Sequence, residues 1–262
     1  MAAASQARLR EPTQPQEETM SSYDSNQRRP YDPRIGAPPS AAIDAGLRAY
    51  MLRVYNYMAG GLAVTGIVAY VAASSGFYQA IAGTPLIWLV MLAPLGFVLA
   101  LSFGIQRMSA GTAAVLFWTY AAVMGLSLGS IFLVFTGASI ARVFFITAAT
   151  YGAMSVYGYT TRTDLSGFGS FLMMGLIGIV IASLVNLFLK SDGLQFAISI
   201  IGVLVFVGLT AYDTQRIKAM YLESDTAEAE GKKAILGALS LYLDFINLFM
   251  MLLQLFGARR ND

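Results

Sequence analysis

Two acidic residues lie inside long apolar stretches of this sequence, where ionisable side chains are uncommon. Asp213 follows the uncharged run GLQFAISIIGVLVFVGLTAY, and Asp244 lies within LSLYLDFINLFMMLLQLF. A pair of carboxylates can share a proton or bind a cation that prefers oxygen ligands, such as calcium. Asn247, three residues beyond Asp244, lies on the same helix face and extends this polar stripe.

The spacing of the two aspartates predicts that they lie at one depth of a helical hairpin. The midpoint between them falls inside ESDTAEAEG, residues 223–231, a polar segment that separates the two apolar runs. An error of two residues in the turn would shift the depths by only ~3 Å. Carboxylates that face each other titrate as a coupled pair and form a proton sensor without histidine. The alternative is that Asp213 is near a helix end and only reaches water.

The composition excludes several kinds of chemistry. The chain of 262 residues is 56% hydrophobic and 12% charged, with mean hydropathy +0.61, and it contains no Cys and no His. Disulfides, thiolate or imidazole metal sites and histidine-dependent nucleophiles are therefore excluded, and any metal must be held by oxygen. The net charge of +2 is too small to indicate a nucleic-acid partner.

The elements that position the aspartates are predicted to be membrane-spanning helices. A span needs roughly 20 apolar residues, and in lipid each backbone polar group needs a partner within its own helix. The sequence is therefore predicted to be an all-α membrane protein whose partner is the lipid bilayer, with a seven-helix domain over residues 49–257. The predicted spans are 50–73, 85–105, 110–135, 139–160, 168–189, 194–216 and 234–256.

The segments outside this domain predict the orientation of the chain. Residues 1–48 contain six of the eight prolines and are predicted to be a disordered cytoplasmic tail, while residues 258–262 form a short C-terminal tail. Basic residues favour a cytoplasmic N-terminus and a cytoplasmic 217–233 loop. Seven spans place the C-terminus outside, unless the last span re-enters. No signal peptide is visible, and we expect a multi-pass protein of the cytoplasmic (inner) membrane of a bacterium.

Small residues in the third span predict a close approach between helices. Ala121, Gly125 and Gly129 are each four residues apart and so lie on one face. In membranes such faces let two backbones pack closely together.

Two motifs in this order resemble the C-terminal signature of the Bax inhibitor family, the transmembrane Bax inhibitor motif proteins. They are GLTAYDTQRIK, which contains Asp213, and ALSLYLDFINLF, which contains Asp244. The resemblance extends over residues 50–257, including VYNYMAGGLAVTG in the first span, and is closest to the bacterial YccA-like members. It implies a bundle of seven transmembrane helices with the last helix central, surrounded by the other six.

The resemblance also implies a function and roles for three residues. Family members are described as pH-sensitive calcium leak channels with a di-aspartyl sensor, which corresponds here to Asp213 and Asp244. An arginine after the second span latches to the first aspartate in the closed state, and its position corresponds to Arg107. Some members carry an acidic residue within the second span, whereas PLIWLVMLAPLGFVLALSF has none.

Calcium is expected as a transported ion, and no tightly bound cofactor is expected. Calcium takes six to eight oxygen ligands, whereas Asp213, Asp244 and Asn247 supply only a few. A weak metal site at the two aspartates is what conduction requires, because the ion must also leave.

Two other functions are compatible with the same residues. Paired aspartates also occur in intramembrane aspartyl proteases, but those enzymes carry glycine where this chain has the bulky LYLD, and no proline follows Pro94. We therefore predict that the chain is not an enzyme. The alternative function is that of a non-conducting membrane modulator that binds a membrane-bound quality-control protease, with residues 1–48 as its contact segment.

Overall fold

The structure is a computed structural model that describes residues 39–260, with side chains from residue 43 onward. It confirms an all-α fold with seven helices long and apolar enough to cross a membrane, and the described residues form no β-strand. The helices are α1 (Pro39–Ser74), α2 (Phe77–Ile81), α3 (Leu86–Gly104), α4 (Ala110–Leu128), α5 (Ile131–Val134), α6 (Gly137–Thr160), α7 (Ser166–Leu189), α8 (Asp192–Ala219) and α9 (Ala227–Phe256). A 3₁₀ turn, Ile105–Arg107, extends the second span.

Two spans begin much earlier than the sequence predicted. α1 begins at Pro39, so that residues 39–48 of the predicted tail are helical. Proline is well tolerated in the first turn of a helix, where its missing N–H has no helical acceptor anyway. α9 begins at Ala227, because its first turns are helical although their residues are polar. The rest of the predicted tail, residues 1–38, lies outside the described residues, as do residues 261–262.

Short polar side chains cap the N-termini of four spans. In each case a Ser or Thr oxygen accepts a hydrogen bond from the backbone N–H three residues on. Such caps satisfy N–H groups that the first turn of a helix leaves without an acceptor, and this matters most where lipid replaces water. The capping residues of α4, α6, α8 and α9 are Ser109, Thr136, Ser191 and Thr226.

The last helix is the central one, as the family resemblance implied. α9 packs against α1, α3, α4, α6 and α8, while α7 packs against α8. In the most apolar part of α9, 67% of the residues are buried, against 11% for α3. Leu241, Leu248 and Leu253 of α9 are fully buried and form part of the hydrophobic core.

Glycines in α4 allow α1 to approach closely, as predicted. A Cβ atom at Gly125 would lie 2.6 Å from the carbonyl oxygen of Thr65, and one at Gly129 would lie 2.8 Å from that of Ala69. The hydroxyl of Thr65 also donates a 2.8 Å hydrogen bond to the carbonyl of Ala121. The small residues are therefore packing residues that hold α1 against α4.

Contacts between segments at the ends of the helices define two opposite faces of the bundle. At one face, near the loop 220–226, the backbone N–H of Ala110 donates to the Glu228 carboxylate at 2.7 Å. At the opposite face, the backbone N–H of Arg260 donates to the carbonyl of Val134 at 2.9 Å. Because α9 is continuous between these faces, the last span does not re-enter, and residues 257–260 lie opposite the 220–226 loop.

Candidate functional site

Helices α8 and α9 form an antiparallel hairpin whose register is defined by two glycine contacts. A Cβ atom at Gly237 would lie 3.0 Å from the Ile217 side chain. One at Gly202 would lie 2.9 Å from the Met251 side chain, about four turns further from the loop. Positions 217 and 237, and positions 202 and 251, are therefore level with each other in the hairpin.

This register places the two aspartates about one helical turn apart in depth. Asp213 is level with Ser240, and Asp244 is level with Thr210, so the offset along the axis is ~5 Å. The sequence predicted an equal depth because it placed the turn within residues 223–231. In the structure the loop spans residues 220–226, and the rest of that polar segment is already helical.

Asp244 is buried in the middle of the bundle. Its side chain is 5% exposed, and its Oδ2 atom has no hydrogen-bond partner among the described residues. Asp213 is on the adjacent helix α8, about one helical turn away in depth. The structure therefore places the two predicted aspartates on neighbouring helices of one hairpin, with Asp244 the more deeply buried.

Asp213 is half-buried and lines a cavity of about 240 Å³ between α3, α8 and α9. Its Oδ1 atom lies 3.9 Å from Nη1 of Arg216, one turn further along the same helix. The Arg216 side chain is 53% exposed, so water screens this ion pair and it contributes little to stability. The hydroxyl-bearing residues Ser102 and Ser240 line the same cavity. Asp213 thus has access to a polar space that Asp244 lacks.

Arg107, the predicted latch, is exposed in the 3₁₀ turn that follows α3. It forms no ion pair with an acidic side chain between residues 43 and 260. The guanidinium that pairs with Asp213 in this structure belongs to Arg216. Ser102 of α3 lines the Asp213 cavity, and Arg107 follows Ser102 by five residues in the chain. The role of Arg107 as a latch stays a prediction.

Asn247 is on the same face of α9 as Asp244 and is half-buried. Its side-chain nitrogen donates a 2.8 Å hydrogen bond to the carbonyl of Leu243, one turn back in the same helix. This bond orients the amide and leaves its oxygen as the atom suited to a cation.

A chain of hydroxyl groups beside Asp213 was not predicted from the sequence. The hydroxyls of Tyr55 and Ser155 are hydrogen-bonded, and Ser155 Oγ lies 3.1 Å from Oγ1 of Thr214. This chain joins α1, α6 and α8 next to Asp213. The sequence signal that could have indicated it is Ser155, a hydroxyl-bearing residue within an apolar span.

A bundle of seven spans with a buried carboxylate on its central helix defines a polytopic membrane protein with an ionisable interior. Residues 47–261 match the family model described as Inhibitor of apoptosis-promoting Bax1. The chain belongs to the Bax inhibitor family.

The chain matches bacterial proteins over most of their length, and some of these are described as membrane proteins. The chain is 54% identical over 220 residues to the inner membrane protein YbhL of Escherichia coli (strain K12), covering 82% of this chain and 94% of the relative. It is 52% identical to an uncharacterized protein of Rickettsia prowazekii (strain Madrid E), with 84% and 93% covered. An uncharacterized membrane protein of Streptococcus pyogenes serotype M3 is 34% identical, with 84% and 96% covered. The chain is thus a multi-pass protein of the inner membrane.

Proposed function

We propose that this protein is a pH-sensitive calcium leak channel in which Asp213 and Asp244 bind protons and the ion in transit. The observation that supports this function best is the buried Oδ2 of Asp244, which has no partner among the described residues, about one turn in depth from Asp213 on the adjacent helix. A carboxylate in a membrane interior costs several kcal/mol unless it is paired or hydrated. Retaining two of them in one bundle is expected where they bind an ion or a proton.

The ligand set favours transient binding of the ion. Between residues 43 and 260 no cluster of three or more acidic, cysteine or histidine side chains could hold a metal. Asp213 and Asp244, with the amide oxygen of Asn247 and hydroxyls or water, supply few permanent ligands for calcium. An ion held this loosely can leave again, which conduction requires.

Protons and an arginine compete with calcium for the same negative charge. With both aspartates ionised, the site attracts calcium and also a guanidinium, and we assign that latch to Arg107 in the closed state. Protonation of the pair removes the charge, so that it weakens the latch and calcium binding together. Calcium flux is therefore expected to depend on pH.

Calcium uptake into proteoliposomes, measured over a range of pH, tests this function. Asp213→Asn and Asp244→Asn should lose most of the pH response, because an amide does not titrate. Asp192→Asn is the matched control, since Asp192 begins the same helix as Asp213 but is exposed at its far end. An unchanged pH profile in Asp213→Asn would contradict a role for the aspartate pair.

A deletion of residues 1–38 separates channel activity from the alternative role of binding a quality-control protease. The deletion ends just before α1, so that the helical bundle is left complete. Flux should be unchanged, whereas an interaction that uses the tail would be lost. Loss of protease binding together with no measurable flux in the full chain would favour the modulator.

A further inference from the structure

A crevice of about 560 Å³ separates α1 from α6, and its volume is within the range of about 300–1,000 Å³ typical of ligand pockets. Phe245 of the central helix α9 closes its base. Its wall is almost entirely apolar and is formed by Met51, Leu52, Met58, Ala59, Ala148 and Val156, with a few polar side chains.

Helices α1 and α6 stay apart at the crevice although several of the residues that line it are small. Ala59 of α1 and Ala148 and Gly152 of α6 line it. Small residues of this kind usually bring membrane helices into contact. A Cβ atom at Gly152 would nevertheless meet no atom within 4 Å, so the space beside this glycine is open.

Tyr151 of α6 contributes its ring to the wall of the crevice. It is 5% exposed, and its hydroxyl is buried away from the open space. A molecule in the crevice therefore meets the apolar part of this side chain.

The mouth of the crevice is positively charged. Arg48 lines it and forms no ion pair with the acidic side chains of residues 43–260. Nζ of Lys218 lies 4.8 Å above the ring of Tyr159, which lines the same mouth. Among residues 43–260, no acidic side chain lines the crevice. Its charge therefore complements an anionic group at the face that carries the 220–226 loop.

We propose that this crevice is a binding site for an anionic phospholipid from the surrounding membrane. The phosphate binds at Arg48, and an acyl chain fills the apolar part of the crevice beside Phe245. This site does not depend on whether the protein conducts calcium.

Native mass spectrometry of the full-length protein in neutral detergent tests the site. Equimolar phosphatidylglycerol and phosphatidylcholine with the same acyl chains are added, and the lipids retained are counted. The wild-type protein should retain phosphatidylglycerol in preference. Arg48→Gln should reduce that preference about fivefold, through loss of one cation near anionic lipid.

A second variant blocks the crevice without changing its charge. Gly152→Leu places a side chain in open space and should abolish retention of phosphatidylglycerol, while the gain in helix propensity protects folding. Matched controls are Gly178→Leu, at an open position on lipid-exposed α7, and Arg162→Gln.

Each control should behave like the wild-type protein. Equal retention of both lipids by the wild-type protein would overturn the site. The same holds if Gly152→Leu retains phosphatidylglycerol, or if Arg162→Gln reduces the preference as much as Arg48→Gln.

Discussion

Ser155 Oγ of α6 lies 3.1 Å from Oγ1 of Thr214, the residue that follows Asp213 in α8. Through the bond between Ser155 and Tyr55, three helices are joined by hydroxyl groups at the level of the candidate site. Both Ser155 and Thr214 are buried, so these bonds are shielded from water. The position of Asp213 in the bundle is thus supported by contacts outside its own helix.

Thr214→Val should destabilise the protein by about 0.6–2 kcal/mol, because valine keeps the shape but loses the bond to Ser155. Thermal unfolding in detergent measures this. Thr147→Val is the control, since Thr147 is equally buried but bonds only to the carbonyl of Val143 in its own helix. Equal losses in the two variants would mean that the bond between helices adds nothing.

Arg107→Gln should raise calcium flux at neutral pH if Arg107 is the closed-state latch. Arg216→Gln is measured beside it, because Arg216 is the arginine that pairs with Asp213 in this structure. Flux in proteoliposomes at matched protein density gives the comparison. A rise in Arg216→Gln alone would transfer the latch to Arg216, and wild-type flux in Arg107→Gln would contradict its assignment.

Gly125→Ala should destabilise the bundle by about 1–3 kcal/mol, because the added methyl group would meet the Thr65 backbone at 2.6 Å. A backbone atom in a packed helix cannot move aside as a flexible side chain can. Gly111→Ala in the same helix is the control, since its Cβ would find its nearest neighbour at 3.8 Å. Unfolding in detergent should show a loss only for Gly125→Ala.

Lys233→Gln should loosen the loop 220–226, because Lys233 Nζ bonds both Asp225 at 2.6 Å and the carbonyl of Met220 at 3.0 Å. Hydrogen exchange of the loop amides should become faster. Lys232→Gln is the control, since Lys232 pairs only with Glu228 within α9. Unchanged exchange in Lys233→Gln would show that the loop is ordered by other contacts.

The orientation of the chain can be tested with single cysteines, because the sequence contains none. Glu223→Cys is in the loop predicted to be cytoplasmic, and Lys190→Cys is in the connection at the opposite face. A maleimide that does not cross membranes should label position 190 in cells with a permeable outer membrane. Position 223 should react only after the inner membrane is opened. The reverse pattern would invert the topology.

Much of the architecture was predictable because lipid restricts what a chain can form. Apolar runs of sufficient length must be helices in a membrane, and the seven spans followed from that constraint. The polar ends of two helices did not follow from it, because residues 39–48 and 227–233 are helical without being an apolar run. The positions of Asp213 and Asp244 within apolar runs likewise identified them as candidates, because charge there is costly.

The sequence by itself determined the helical class, the number of spans and the two aspartates, since these depend on composition along the chain. The tertiary structure alone decided the depth offset between Asp213 and Asp244 and the crevice beside Tyr151. These depend on the register of α8 against α9 and on how far α1 is from α6. Both follow from side-chain packing between residues distant in sequence, which no local pattern encodes.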